Sequence, residues 1–228
     1  MLGPIPNDAE VDDIAFRREP IVCLQDGMAA GEEWLLDHPL PHGRHSAWMM
    51  VLMALAEKVP MARVPQGASR WVAVNANAEH LANRHFQPIW RSLARRCTEN
   101  GIGLIIEWTE NPPVSTECFQ FLSSLRLDYG VQISIDDVGS SGTDGLWRMT
   151  QSAPDWIKID GGFFHRSLHD AWTRDAIAEV VRLARLRGAR SIIEWIETPD
   201  QLAFAKGIGC EYGQGFLWRD QPSQAIAP

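Results

Sequence analysis

The chain has 228 residues with a net charge of −8, a pI of about 5.3, and 45% hydrophobic and 22% charged residues. That is enough for a sizeable core, as one α/β barrel or two small domains, with the composition of an ordinary soluble globular protein. The acidic balance argues against a surface for duplex DNA or RNA, yet leaves room for a phosphorylated small molecule held through divalent cations. Cys23, Cys97, Cys118 and Cys210 are far apart and form no CxxC pair. Neither a zinc knuckle nor a disulfide framework is expected, and reduced thiols in a cytoplasm are the simpler reading. No apolar run is long enough to span a bilayer, and the polar, acidic start MLGPIPNDAEVDD is no secretory signal.

In chain order, residues 1–19 read as an irregular lead-in, followed by one domain over residues 20–228. Pro20–Leu24, a turn at Gln25-Asp26-Gly27 and Met28–Leu36 predict a hairpin. Apolar spacing predicts a helix over Ala47–Lys58, stopped by Pro60. Short strands are predicted at Arg70–Asn75, Leu104–Glu110, Ile133–Asp137, Trp156–Asp160, Arg190–Glu194 and Cys210–Leu217. Helices are predicted between them at Pro88–Asn100, Thr116–Leu127, Thr173–Arg187 and Pro199–Ile208, with a helical turn at Leu146–Thr150. After the opening hairpin, strand and helix alternate to the end. That pattern implies a parallel sheet, and about eight strands imply closure into a barrel.

In a parallel α/β fold the chemistry sits at the C-terminal ends of the strands. The predicted ends carry Glu33, Asn75, Glu107, Asp136 with Asp137, Lys158 with Asp160, Glu194 with Glu197, and Gln214. Polar groups at nearly every consecutive strand end are hard to explain as packing. Clustered carboxylates with an amide oxygen suit Mg²⁺ or Mn²⁺, and two such ions suit phosphoester hydrolysis by an in-line water. The plainer alternative is a set of solvated loop acids with a salt bridge to Lys158.

The ordered segments PIV, GEEWL, VNAN, IEWTE, IDDVG, WIKID, EWIE and GQGF, from about Arg18 to Leu217, resemble the EAL domain family of cyclic-di-GMP phosphodiesterases and their non-catalytic relatives. The resemblance implies a (β/α)8 TIM-like barrel whose first strand is antiparallel, and hydrolysis of cyclic di-GMP to linear pGpG. It implies that Glu33, Asn75, Glu107 and Asp136 ligate a metal, with Asp137 and Asp160 helping to hold a second. Lys158 would act on the attacking water or the phosphate charge, and Glu194 as general base. Glu197 and Gln214 would lie near the metals and the guanine base, and Glu110 would steady the loop after Asp137.

Several residues depart from that family's usual pattern. Trp34 stands for alanine, Asp37 for a phosphate-gripping arginine on the substrate side, Glu19 for glutamine and Trp195 for glycine. The loop Val138–Gly145 is altered, and the connection from Leu36 to Ala47 is short. Two classes of function follow: a metal-dependent phosphodiesterase, or a non-catalytic module that binds cyclic di-GMP or a protein partner. A homodimer is compatible with either.

Overall fold

Short apolar strands with polar ends can bury both faces only if helices cover the outside and side chains fill the inside, and the computed structural model has that architecture. The structure describes residues 14–37, 45–59, 71–109, 116–142 and 145–219. Strands β1 (Phe16–Cys23), β2 (Ala29–Leu36), β3 (Trp71–Ala76), β4 (Gly103–Trp108), β5 (Gln132–Val138), β6 (Trp156–Ile159), β7 (Arg190–Ile193) and β8 (Tyr212–Gly213) close a barrel in chain order. β1 runs antiparallel to both β2 and β8. Every other neighbouring pair is parallel. The helices are α1 (His45–Lys58), α2 (Ala78–Ala82), α3 (Gln87–Glu99), α4 (Thr116–Tyr129), α5 (Gly145–Ser152), α6 (Gly161–Ser167), α7 (Ala171–Leu186) and α8 (Pro199–Gly207). No helix among the described residues is long and apolar enough to cross a membrane.

The expected barrel is present, with two local corrections. The lead-in does not extend to residue 19: β1 begins at Phe16 because Arg17 and Arg18 pair across the hairpin with Leu35 and Trp34. Helix α6 was not anticipated: no element is predicted between the strand ending at Asp160 and the helix from Thr173. Asp160 starts it by accepting a hydrogen bond from the Phe163 backbone N–H at 2.8 Å, and buried Phe164 anchors it.

Strand alternation sorts the lumen into tiers. At the N-terminal end of the parallel strands, Trp71, Trp156 and Tyr212 pack edge-on or tilted, their centroids 4.9 to 5.9 Å apart. The Arg190 guanidinium lies 4.8 Å from the Trp71 ring and 4.7 Å from that of Trp156. Trp156 Nε1 donates to Gln132 Oε1 at 2.6 Å, so the buried indole keeps a partner. Next come Ile21, Ala73, Ile105 and Ile192, all buried. Trp34 lies on the other face of β2, buried beside Phe16 at 5.7 Å and under the Arg18 guanidinium at 5.6 Å, with Nε1 donating to Glu32 Oε1 at 3.1 Å. Neighbouring strand side chains point to opposite faces, so this indole is accommodated outside the lumen.

Candidate active site

Two residues above the aliphatic tier, the same alternation places a ring of polar groups. Glu33 comes from β2, Asn75 from β3, Glu107 from β4, Asp136 from β5 and Lys158 from β6, while Glu194 and Gln214 follow β7 and β8 directly. In register, Asn75 lies beside Glu107 and Glu19 beside Glu33. Lys158 Nζ sits among the acids: 3.1 Å from Glu33 Oε2, 2.9 Å from Glu107 Oε2, 3.3 Å from Asp136 Oδ1 and 2.8 Å from Glu194 Oε1. Both Glu33 oxygens are also fixed by amides, Asn75 Nδ2 to Oε1 at 2.8 Å and Gln214 Nε2 to Oε2 at 3.1 Å.

Four carboxylates around one ammonium leave an excess of buried negative charge, and the proton affinities divide accordingly. Burial would raise Glu33, but the Lys158 charge and the Gln214 hydrogen bond hold it below the usual carboxylate range. Glu107 goes the other way: burial and the neighbouring Glu33 charge push it well above that range despite Lys158. The difference follows from partners, since both oxygens of Glu33 accept hydrogen bonds whereas Glu107 Oε1 is buried without one. Burial also pushes Glu194 up to about 7, with Lys158 drawing it back and Asp136 and Glu33 adding to the rise. Lys158 is buried, yet Asp136, Glu107, Glu194 and Glu33 hold it well above its ordinary value.

Among the described residues, no three His, Cys, Asp or Glu side chains converge closely enough to hold a metal ion as they stand. The position between the carboxylates is taken by the Lys158 ammonium. The donor chemistry nevertheless fits a hard dication. Glu107 Oε1, Asp136 Oδ1 and Gln214 Oε1 are all buried without a hydrogen-bond partner, and oxygen ligands of this kind are what Mg²⁺, Mn²⁺ and Ca²⁺ take.

The ring opens into a cavity of about 590 Å³ lined by Glu33, Asn75, Asp136, Lys158, Glu194, Glu197 and Gln214, together with Arg17, Glu19, Trp195, Phe216 and Arg219. Glu107 is fully buried beneath it, touching it through Lys158. Glu197 is set by the start of α8, its N–H donating to Gln201 Oε1 at 2.6 Å inside the Thr198–Gln201 capping box.

Besides Glu107, three described residues of the expected site do not line this cavity. Asp137 follows Asp136 directly and takes φ 56° at a break in the β5–β6 register. Asp160 gives one carboxylate oxygen, Oδ1, to the α6 cap. Asp37 is exposed just past β2, its N–H donating to Ala15 O at 3.1 Å. Glu110 lies outside the described residues, as do residues 38–44 of the short connection and 143–144 of the altered loop.

The structure also adds residues that strand-end reading missed. Arg148 of α5 is buried and donates to the Trp108 carbonyl and, at 2.9 Å, to the Asp136 carbonyl, tying together the ends of β4 and β5. Its signal was an arginine on the buried side of a short helix. Arg17 alternates with Glu19 on the inward face of β1, and the two pair at 2.9 Å. Phe216 and Arg219 follow Gln214 within a 3-10 turn and its exit.

The model of the EAL domain family matches residues 7–221. The chain is 26% identical over 220 residues to the cyclic di-GMP phosphodiesterase PdeL of Escherichia coli, an alignment covering 88% of this chain and 60% of that protein. The chain thus spans less than two thirds of that relative's length. Among solved structures it resembles the PaMucR phosphodiesterase in complex with c-di-GMP, at 25% identity and a TM-score of 0.70 over 92% of each chain. It also resembles Klebsiella pneumoniae BlrP1 in a manganese and cyclic-di-GMP complex, at 23% identity and a TM-score of 0.73 over 90% of this chain and 55% of that one. With the antiparallel first strand and the acid ring around Lys158 already described, the family match over nearly the whole sequence settles the assignment: the chain is a member of the EAL domain family.

Proposed function

We propose that this domain hydrolyses one phosphodiester bond of cyclic di-GMP, giving linear pGpG, in the cytoplasm and with Mg²⁺ or Mn²⁺. The observation that carries the reading is the set of buried oxygens on Glu107, Asp136 and Gln214 that accept no hydrogen bond, Asp136 Oδ1 being held only by its ion pair with Lys158, at the floor of a cavity sized for a small molecule. The names of PdeL, PaMucR and BlrP1 support the substrate.

Glu33, Asn75, Glu107 and Asp136 would hold the first ion. Asp137 and Asp160 would help to hold a second. Bound there, such ions supply Lewis acidity, acidifying water and offsetting phosphate charge. Glu194, poised at about 7, accepts the proton of the attacking water on a carboxylate oxygen. Lys158, held protonated by the surrounding carboxylates, would supply positive charge toward the phosphate oxygens. Glu197 and, from the acid ring, Gln214 orient the substrate, and Arg148 keeps Asp136 in place through its backbone.

One observation favours a second reading, a module that binds the nucleotide without turning it over. The Lys158 ammonium already neutralises part of the acid ring, so the ring is held together without a metal. Purified protein incubated with cyclic di-GMP and Mn²⁺ or Mg²⁺, followed for both pGpG and bound nucleotide, separates the two. Turnover that vanishes in Glu33→Ala is the result expected of the phosphodiesterase; tight binding without pGpG is the result expected of the binding module.

A further inference from the structure

The backbone that aims Glu194 is strained and needs support. The Glu194 N–H donates to Ile159 O at 3.2 Å, fixing the residue to the end of β6, and its Oε1 lies 2.8 Å from Lys158 Nζ. Two residues on, Ile196 N–H donates to Gln214 O at 3.0 Å, fixing the chain just past β8. Between these anchors the chain turns at Trp195 with φ 58°, a left-handed value that suits glycine and that a bulky residue disfavours. With that turn in place, Glu194 and Glu197 both line the cavity.

Strain of this kind persists only where the surroundings over-determine it. Here α6 supplies them. The Trp195 indole lies against Gly161, where any Cβ would collide with the ring. His165 Nε2 is 2.8 Å from the Trp195 carbonyl oxygen, and the two rings meet edge-on at 6.0 Å. A carbonyl oxygen only accepts, so Nε2 carries a proton and donates it.

Helix α6 is itself fixed along its length, so His165 acts from a rigid base. Asp160 Oδ1 caps its start, and buried Phe164 stacks on Phe204 with centroids 5.9 Å apart. At its end the Arg174 guanidinium donates to the Ser167 and Leu168 carbonyls, each at 3.3 Å. Relaxing Trp195 to an ordinary φ would swing its carbonyl away from His165, and the hydrogen bond opposes that change. His165 does not line the cavity, so its influence on the site passes through Trp195.

We infer that His165 is a positioning residue: by donating to the Trp195 carbonyl it holds the left-handed turn that directs the Glu194 carboxylate to Lys158 and the cavity. The inference deepens the reading given under Proposed function and rests on it for the role of Glu194 as proton acceptor.

The test compares His165→Phe, which keeps a ring and removes the donor, with His165→Gln, which keeps an N–H. With cyclic di-GMP and Mn²⁺, kcat should fall about tenfold in His165→Phe with KM within about twofold, a loss the size of the left-handed penalty. His165→Gln should recover most of it. In a Trp195→Gly background, where the backbone needs no clamp, His165→Phe should cost less than about twofold. Amide hydrogen exchange of metal-free protein reads the turn without turnover: residues 194–197 should exchange about tenfold faster in His165→Phe, with β3 and β4 unchanged. Unchanged exchange at 194–197, or faster exchange throughout the barrel, would overturn the inference. So would an equal loss in His165→Gln, or an undiminished loss in the Trp195→Gly background. Faster exchange confined to 194–197, in a protein whose wild type makes no pGpG, would sink the phosphodiesterase and uphold the clamp.

Discussion

The two ends of the barrel lumen are built from the same strands by the same rule, and they serve opposite ends. Trp71, Ala73 and Asn75 succeed one another on the inward face of β3, as do Trp156 and Lys158 on β6. At one end the inward positions are aromatic and aliphatic, packed together, with the Arg190 guanidinium between two indoles. At the other they are acids crowded about one lysine, with three buried oxygens that accept no hydrogen bond. The first end stabilises the fold. The second costs stability, since buried carboxylates in excess of cations are unfavourable until a proton or an ion joins them.

Paired substitutions should break the symmetry between these ends most visibly. Glu33→Ala at the polar end is expected to lower turnover at least about a hundredfold, because an inner ligand matters no less than the groups that support ligands. Stability should change little, since Lys158 keeps Glu107, Asp136 and Glu194. Trp156→Ala at the apolar end should do the reverse. Emptying a fully buried indole site costs about 3–5 kcal/mol, seen as a lower urea midpoint at unchanged slope, with turnover per folded molecule retained. Comparable unfolding in both variants would erase the distinction.

Proton and metal linkage sharpens the comparison next. Glu107 and Glu194 bind protons more tightly folded than unfolded, so their contribution to stability is greatest at low pH. For Glu194 it is lost as pH rises through about 7. A divalent cation competes with those protons. Mn²⁺ should therefore raise the thermal midpoint more at about pH 8 than at about pH 6. A smaller shift at the higher pH would contradict the placement of the ion among these acids.

The smallest effect belongs to Glu19, which lies opposite Glu33 and pairs with Arg17. Glu19→Gln removes an anion from the mouth and releases Arg17, so KM for the dianionic substrate should fall by about two- to fivefold, less at high salt. No change in KM at low salt would show that Arg17 does not face the substrate.

Much of this was legible beforehand because β structure repeats every two residues. Once IDDVG and WIKID are read as strand ends, Asp136 and Lys158 must share the face that carries Asn75 and Glu107, and the acid ring follows. Asp137 falls at a break in the β5–β6 register with φ 56°, where alternation no longer says which way a side chain faces. Asp160 was recognisable only as another acid after a strand, since its use as a helix cap depends on α6, whose glycines disguise it.

From local pattern the sequence determined the opening hairpin, the alternation of strand and helix that implies a barrel, and the identity of the polar groups at the strand ends, because these depend on alternation and chain order; the antiparallel first strand of the barrel came from the family resemblance. Only the tertiary structure decided where Lys158 places its ammonium, which of two neighbouring glutamates takes the burden of protonation, and that Arg17, Trp195, Phe216 and Arg219 meet at one rim. Those outcomes depend on distances between residues far apart in the chain, and Coulomb energy, burial and hydrogen bonding are functions of distance in space rather than position in sequence.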